Sequence, residues 1–235
     1  MKKFKSFIAL DLKSNTQNIS IVKQLYRNVY GFKVGYRAFY NNRSKELISE
    51  IKKSKCKLFL DLKLHDIPNT VSSAIDSLSN INPDFLTIHI SGGNEMMKAA
   101  VKSIKKNKLK TKILGVTLLT SLDGKDSEKI YKEKNTKKLV KKFTEMANNL
   151  QIHGLICSGD DLKVLGKFNK LVKITPGVKM FAKNDDQKRV TFVHNALQDG
   201  ASFVVIGREL IESKRPLDLL KKYGEKYKNK NLWTK

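Results

Sequence analysis

Cysteine is almost absent from this chain of 235 residues: Cys56 and Cys157 stand about a hundred positions apart. They form no metal-binding or redox spacing, so they carry no assigned chemistry, and their scarcity fits a reducing cytosol. Long apolar runs are missing too. The run Phe7 to Leu10 follows Lys2, Lys3 and Lys5 and is interrupted at once by Asp11, far short of a signal-peptide core or a membrane span. No membrane partner is expected, and a cytoplasmic location is. No Gly-x-Gly-x-x-Gly follows the first apolar run, which removes the main dinucleotide signature. Arginine is scarce as well. The net charge of +25 and 47 basic residues invite a nucleic-acid reading, yet only six of the 47 are arginine and the lysines are scattered through nearly every segment. Base recognition favours the guanidinium fork, and no contiguous arginine-rich or aromatic-studded face is found, so no nucleic-acid partner is expected. The lysines read instead as solvated helix faces, Lys105-Lys106 and Lys137-Lys138 among them, whose summed field attracts a small anion.

What is present is an alternation. Strand-like apolar runs occur at Phe7–Leu12, Gly31–Tyr36, Leu58–Leu64, Phe85–Ile90, Lys112–Leu119, Gly154–Cys157, Leu171–Thr175 and Phe203–Ile206. Between several of them lie helix signals: Asn15-Thr16 before an amphipathic run, Pro68 in a first turn, Met96 to Ile104 at helical spacing, and Asn135-Thr136. Eight β/α units in this length predict a single (β/α)8 barrel domain, class α/β, over residues 1–235, with its active site at the C-terminal strand ends. There is no linker, low-complexity tract or repeat beyond the unit itself.

The most informative stretch runs from Phe59 to Val71. A strand over Leu58–Leu64 puts Asp61 and Lys63 on one face and four leucines on the other, with Asp66 just past the end. A strand with an all-leucine face is expected to be buried on both sides, where a surface ion pair is the weaker explanation. Inward parity adds Asp11 from the first strand and Lys33 from the second, which makes a network of alternating charge suited to a reaction that develops charge on its substrate. On the other half, Gly207-Arg208 after the eighth strand suits a phosphate, with Thr175-Pro176-Gly177 after the seventh and a loop through Asn184, Asp186 and Gln187. Thr120-Ser121 reads either as a ring-edge contact or as a helix cap, and Asp123 and Asp126 as surface-loop residues.

Taken together, Asp61-x-Lys63-x-x-Asp66-Ile67-Pro68-x-Thr70, Phe32-Lys33-Val34-Gly35, Thr175-Pro176-Gly177, Asp186-Gln187 and Ile206-Gly207-Arg208 closely resemble the orotidine 5′-phosphate decarboxylase family over residues 7 to 216. The resemblance implies a homodimeric barrel that converts orotidine 5′-phosphate to UMP and carbon dioxide with no metal or organic cofactor. It makes Lys63 the proton donor to C6, with Lys33, Asp61 and Asp66 completing the charged array. It implies that Asp11 and Lys33 bind ribose hydroxyls, Ser121 the pyrimidine edge, Gln187 the phosphate and ring, and Arg208 with Gly207 the phosphate, with Pro176 among the substrate-binding residues. It also implies that Asp66, Ile67 and Thr70 reach the partner subunit's site and that the segment from Gly177 to Lys188 closes over the ligand. Lys179, Asn184 and Phe192 depart from the family's arginine, glycine and proline. The competing enzyme reading is a keto-gulonate-phosphate decarboxylase or hexulose-phosphate synthase, which shares Asp-x-Lys-x-x-Asp but requires magnesium. His89 shares inward parity with Thr87, so a metal ligand is conceivable there; a hydrogen-bonded core histidine is the better reading. His65, His153 and His194 read as structural or exposed.

Overall fold

A computed structural model describes residues 2–181, 191–228 and 230–234. Eight parallel strands form in sequence order: β1 (Phe4–Ala9), β2 (Val29–Gly35), β3 (Lys57–Leu64), β4 (Phe85–His89), β5 (Lys112–Val116), β6 (Gly154–Ile156), β7 (Val172–Thr175) and β8 (Phe203–Ile206). Their order around the sheet is that of a closed barrel, which makes the fold class (β/α)8. All eight expected strands occur. Two of them end three residues sooner than the apolar pattern suggests: β1 stops at Ala9, so Asp11 lies beyond it, and β5 stops at Val116. Apolar composition does not distinguish a last strand residue from a buried loop residue, and Leu10, Thr117 and Leu118 are all buried.

By contact density the chain divides into two compact units, Met1–Asp61 with Thr175–Lys235, and Leu62–Ile174. In the first, β2 pairs with β1 and with β3, and β1 pairs with β8. The helices of this unit are α1 (Asn15–Leu25), the single turn α2 (Tyr36–Phe39), α3 (Ser44–Lys53), and, after the second unit, α8 (Val193–Gln198), α9 (Arg208–Ile211) and α10 (Pro216–Lys226). Helix α1 begins one residue earlier than Asn15-Thr16 implies, because the Ser14 hydroxyl accepts the Thr16 amide and acts as its cap. Phe7 anchors the interior, edge-on to Phe59 and Phe203 at 5.3 and 5.6 Å between ring centres.

In the second unit β4, β5, β6 and β7 pair in turn. Its helices are α4 (Pro68–Ser77), α5 (Gly93–Lys106), α6 (Gly124–Tyr131) and α7 (Thr136–Asn149). Pro68 occupies the first turn of α4, where its missing N–H is no loss. The Asn135 side chain caps α7 by accepting the Lys138 amide. Asp126 lies inside α6, and Asp123 is the exposed residue just before it. They form a capping box at the start of α6: Asp123 Oδ1 accepts the amides of Lys125 and Asp126, and the Asp126 carboxylate accepts the Asp123 amide. Those amides hold the Asp123 carboxyl below its ordinary pKa. Thr120 and Ser121 therefore sit in the preceding turn and do not cap α6.

One histidine ties α8 to α10. The His194 amide donates to the Tyr223 hydroxyl at 3.0 Å, its Nδ1 lies 3.0 Å from the same oxygen, and its ring stacks on Tyr227. Burial, followed by the positive charges of Lys230 and Lys226, holds its pKa below the ordinary histidine value. The unfolded chain, titrating near 6.5, then binds a proton more readily than the folded one, so stability is lost as pH falls through about 6.5 and levels off below the folded value. Melting temperature is expected to drop between pH 7.5 and 5.5 and to drop less in His194→Gln; an unchanged slope in that variant would assign the effect elsewhere.

Candidate active site

Strand β2 carries Lys33 between Phe32 and Val34, both fully buried, so the alternation that packs its neighbours turns the ammonium to the other face. There it is shared. Lys33 Nζ lies 3.4 Å from Asp61 Oδ2 and 3.7 Å from Asp11 Oδ2. The Lys33 and Asp61 side chains are each only 12% exposed, whereas Asp11 is 43% exposed. A largely desolvated ammonium held between two carboxylates is strongly oriented, because it has lost water that these partners replace. Gly35, two residues along β2, makes room: a Cβ there would stand 3.2 Å from Lys33 Nζ and 3.5 Å from Asp11 Oδ1. Asp61 also raises the pKa of the Tyr36 phenol, behind burial as the main cause.

The turn that carries Asp11 is held from below by two buried asparagines. Asn18 Oδ1 accepts the Leu12 amide, the Asn18 side-chain amide donates to Asn15 Oδ1, and Asn15 donates in turn to the carbonyls of Ala38 and Asn42. The chain after β1 and the chain after α2 are thereby fastened to one helix start.

At the other side of the same unit, β8 runs into Gly207 and then α9. A Cβ on Gly207 would meet nothing closer than Ala9 Cβ at 4.0 Å, so the space above this turn is open, and Arg208 is exposed beside it. Thr175 is fully buried, and its hydroxyl has no hydrogen-bond partner among the described residues. Gly177 adopts φ +72°, a left-handed turn that a side chain would strain. Gln187, with Asn184 and Asp186, lies outside the described residues.

Within the second unit, Lys63 near the end of β3 has φ +42°, in the left-handed region, and its amide donates to Thr87 Oγ1 at 2.8 Å. The leucine face is buried at Leu58, Leu60 and Leu62, and Phe59 and Asp61 are buried as well, so β3 is covered on both sides up to the point where Lys63 and Leu64 become partly exposed. Asp66, Ile67 and Thr70 are exposed in the single chain, Ile67 to 67%. Asp66 Oδ1 accepts the amide of Ile67. Ser121 is exposed. His65 stacks on His89 at 5.0 Å, and among the described residues no group of three His, Cys, Asp or Glu side chains is placed to hold a metal ion.

Comparison with known proteins decides the family. Residues 5–223 match the model of the orotidine 5′-phosphate decarboxylase / HUMPS family. The chain belongs to that family. Proteins named orotidine 5′-phosphate decarboxylase from Wolbachia sp. subsp. Brugia malayi and from Staphylococcus haemolyticus are similar to it. The first is 35% identical over 212 residues, covering 88% of this chain and 92% of the relative. The second is 36% identical over 220 residues, covering 90% and 93%. The crystal structure of orotidine 5′-phosphate decarboxylase from Lactobacillus acidophilus superposes with a TM-score of 0.77 at 26% identity, over 96% of this chain and 99% of that one.

For this member of the orotidine 5′-phosphate decarboxylase / HUMPS family, Asp11, Lys33 and Asp61 were all legible from strand parity, and they meet as one ion-pair cluster. Asn15 and Asn18 were not read as site residues. Their signal was available: they line up with Ile21, Val22 and Leu25 on the buried stripe of α1, where a polar side chain needs a specific partner. Thr87 shared the inward parity of His89, yet nothing in the sequence pointed to its bond with the Lys63 backbone.

Proposed function

We propose that the chain decarboxylates orotidine 5′-phosphate to UMP and carbon dioxide, the last step of de novo UMP synthesis, without a metal or an organic cofactor. The observation that carries this reading is the Lys33 ammonium shared by Asp11 and Asp61, on whose strand, two residues later, comes Lys63. Loss of carbon dioxide from C6 leaves a carbanion with poor delocalisation. A fixed ammonium stabilises that developing charge and then protonates it. In this scheme Lys63 is the ammonium at C6, and Asp61 and Lys33 orient it. Asp66 completes the array from the partner subunit, a role supported by the exposure of Asp66, Ile67 and Thr70 in the single chain. Asp11 and Lys33 hold ribose hydroxyls, Ser121 borders the pyrimidine, Pro176 contacts the substrate, Gln187 reaches the phosphate and ring, and Arg208 with the Gly207 backbone grips the phosphate. The open space above Gly207 supports that last assignment.

The description of the matched family joins decarboxylases to the HUMPS group, so the test must separate the two. Consumption of orotidine 5′-phosphate, followed spectrophotometrically with and without a chelator, is expected to proceed at equal rates and to yield UMP. Specific activity is expected to fall on dilution as the dimer dissociates. No UMP, or turnover abolished by chelator and restored by magnesium, would favour the synthase reading. Dilution-independent activity of a demonstrated monomer would remove the partner's contribution.

A further inference from the structure

Glu209 is used by nothing described so far, yet its carboxylate is fully engaged. Oε2 accepts the Met180 amide at 2.7 Å and Oε1 accepts the Phe181 amide at 3.0 Å. Both oxygens are thus committed to successive backbone N–H groups of the chain that leaves β7. Hydrogen bonds to an ionised acceptor are the stronger kind, and two from adjacent amides fix direction as well as distance. The same segment is closed further by main-chain bonds: the Lys179 amide donates to the Thr191 carbonyl and the Val193 amide to the Lys179 carbonyl. Phe181 packs edge-on against Tyr223 of α10.

Glu209 is also the residue after Arg208, on a helix of one turn that starts at Gly207. A four-residue helix has little rigidity of its own, so the direction of Arg208 depends on what α9 is fastened to. Leu210 and Ile211 are buried and hold one side of it. Glu209 holds the other, to the backbone five residues beyond Thr175.

We propose that Glu209 is a positioning residue for phosphate recognition, which ties the turn bearing Gly207 and Arg208 to the segment Pro176–Phe181 so that both present to the substrate phosphate in one fixed geometry. This rests on the assignment of the phosphate to Gly207 and Arg208. The carboxylate touches no reacting atom. Its loss lowers the affinity for phosphate-bearing ligands and leaves the chemistry at C6 largely intact once the site is full.

The test compares Glu209→Ala and Glu209→Gln with the parent protein. In Glu209→Ala, KM for orotidine 5′-phosphate is expected to rise about tenfold and kcat to fall less than threefold. UMP binding weakens in parallel, while binding of uridine, which lacks the phosphate, stays within twofold. Glu209→Gln retains one oxygen acceptor and falls between, and it carries the test if the alanine variant does not fold. A KM within twofold of the parent in the variants that fold would overturn the proposal. So would a fall in kcat at constant KM, the signature of a smaller folded fraction, or equal weakening of UMP and uridine. If the parent turns over no orotidine 5′-phosphate, the decarboxylase reading fails by itself, and the UMP and uridine arms still judge Glu209.

Discussion

Lys63→Ala is expected to lower the rate of orotidine 5′-phosphate decarboxylation at saturation by at least about 10⁴-fold, with a much smaller change in KM. The magnitude follows from two separate losses. A positioned proton donor contributes about 10²–10⁴, and a preorganised charge beside developing negative charge contributes roughly 10²–10³. In the proposed scheme the phosphate and ribose contacts lie elsewhere, which is why binding is expected to survive. Lys63→Arg separates the two contributions, since a guanidinium keeps the positive charge but does not give up its proton at neutral pH. It is expected to stay below about 1% of the parent rate. Single-turnover spectrophotometry on the purified variants measures both, and near-normal turnover in Lys63→Ala would sink the mechanism.

Lys33→Met is expected to reduce kcat/KM by about 10³-fold, for a different reason. The ammonium at 33 is the shared partner of Asp11 and Asp61, and its removal takes that cation from both carboxylates. With Asp61 only 12% exposed, losing this partner costs stability as well, about 3 kcal/mol. Lys33→Arg is not a rescue. The space between Gly35 and the two carboxylates fits a compact ammonium, and a Cβ at Gly35 alone would already approach it to 3.2 Å. Urea unfolding together with steady-state kinetics distinguishes this outcome from a purely structural one: a stability loss with unchanged kcat/KM would mean the cluster only braces the fold.

The (β/α)8 class was legible because strand pattern and helix signals agreed along the whole chain, and period-two alternation is enough to set Lys33 and Asp61 on one side of their strands. Asp11 was found by the same parity although it lies past the end of β1, where the Leu10 amide still donates to the Lys33 carbonyl. What escaped has a common cause. Glu209 to Met180, Thr87 to Lys63 and Asn18 to Leu12 are all bonds between a side chain and a distant or turned backbone amide. Amides carry no residue identity, so no spacing in a sequence announces them. The capping box of α6 was missed for a smaller reason: Asp123-x-x-Asp126 uses aspartate where the usual signature has glutamate or glutamine.

The left-handed backbone at position 63 carries a consequence for how this protein trades endurance against activity. A side chain with a Cβ is disfavoured in that region by roughly 1–2 kcal/mol, and lysine bears that penalty in every folded molecule. Lys63→Ala inherits the same backbone, whereas glycine would relax it. An inactive protein with glycine at 63 would therefore outlast one with alanine, and selection for sturdiness alone would drift toward glycine at the one place on β3 where the proposed chemistry needs an amine.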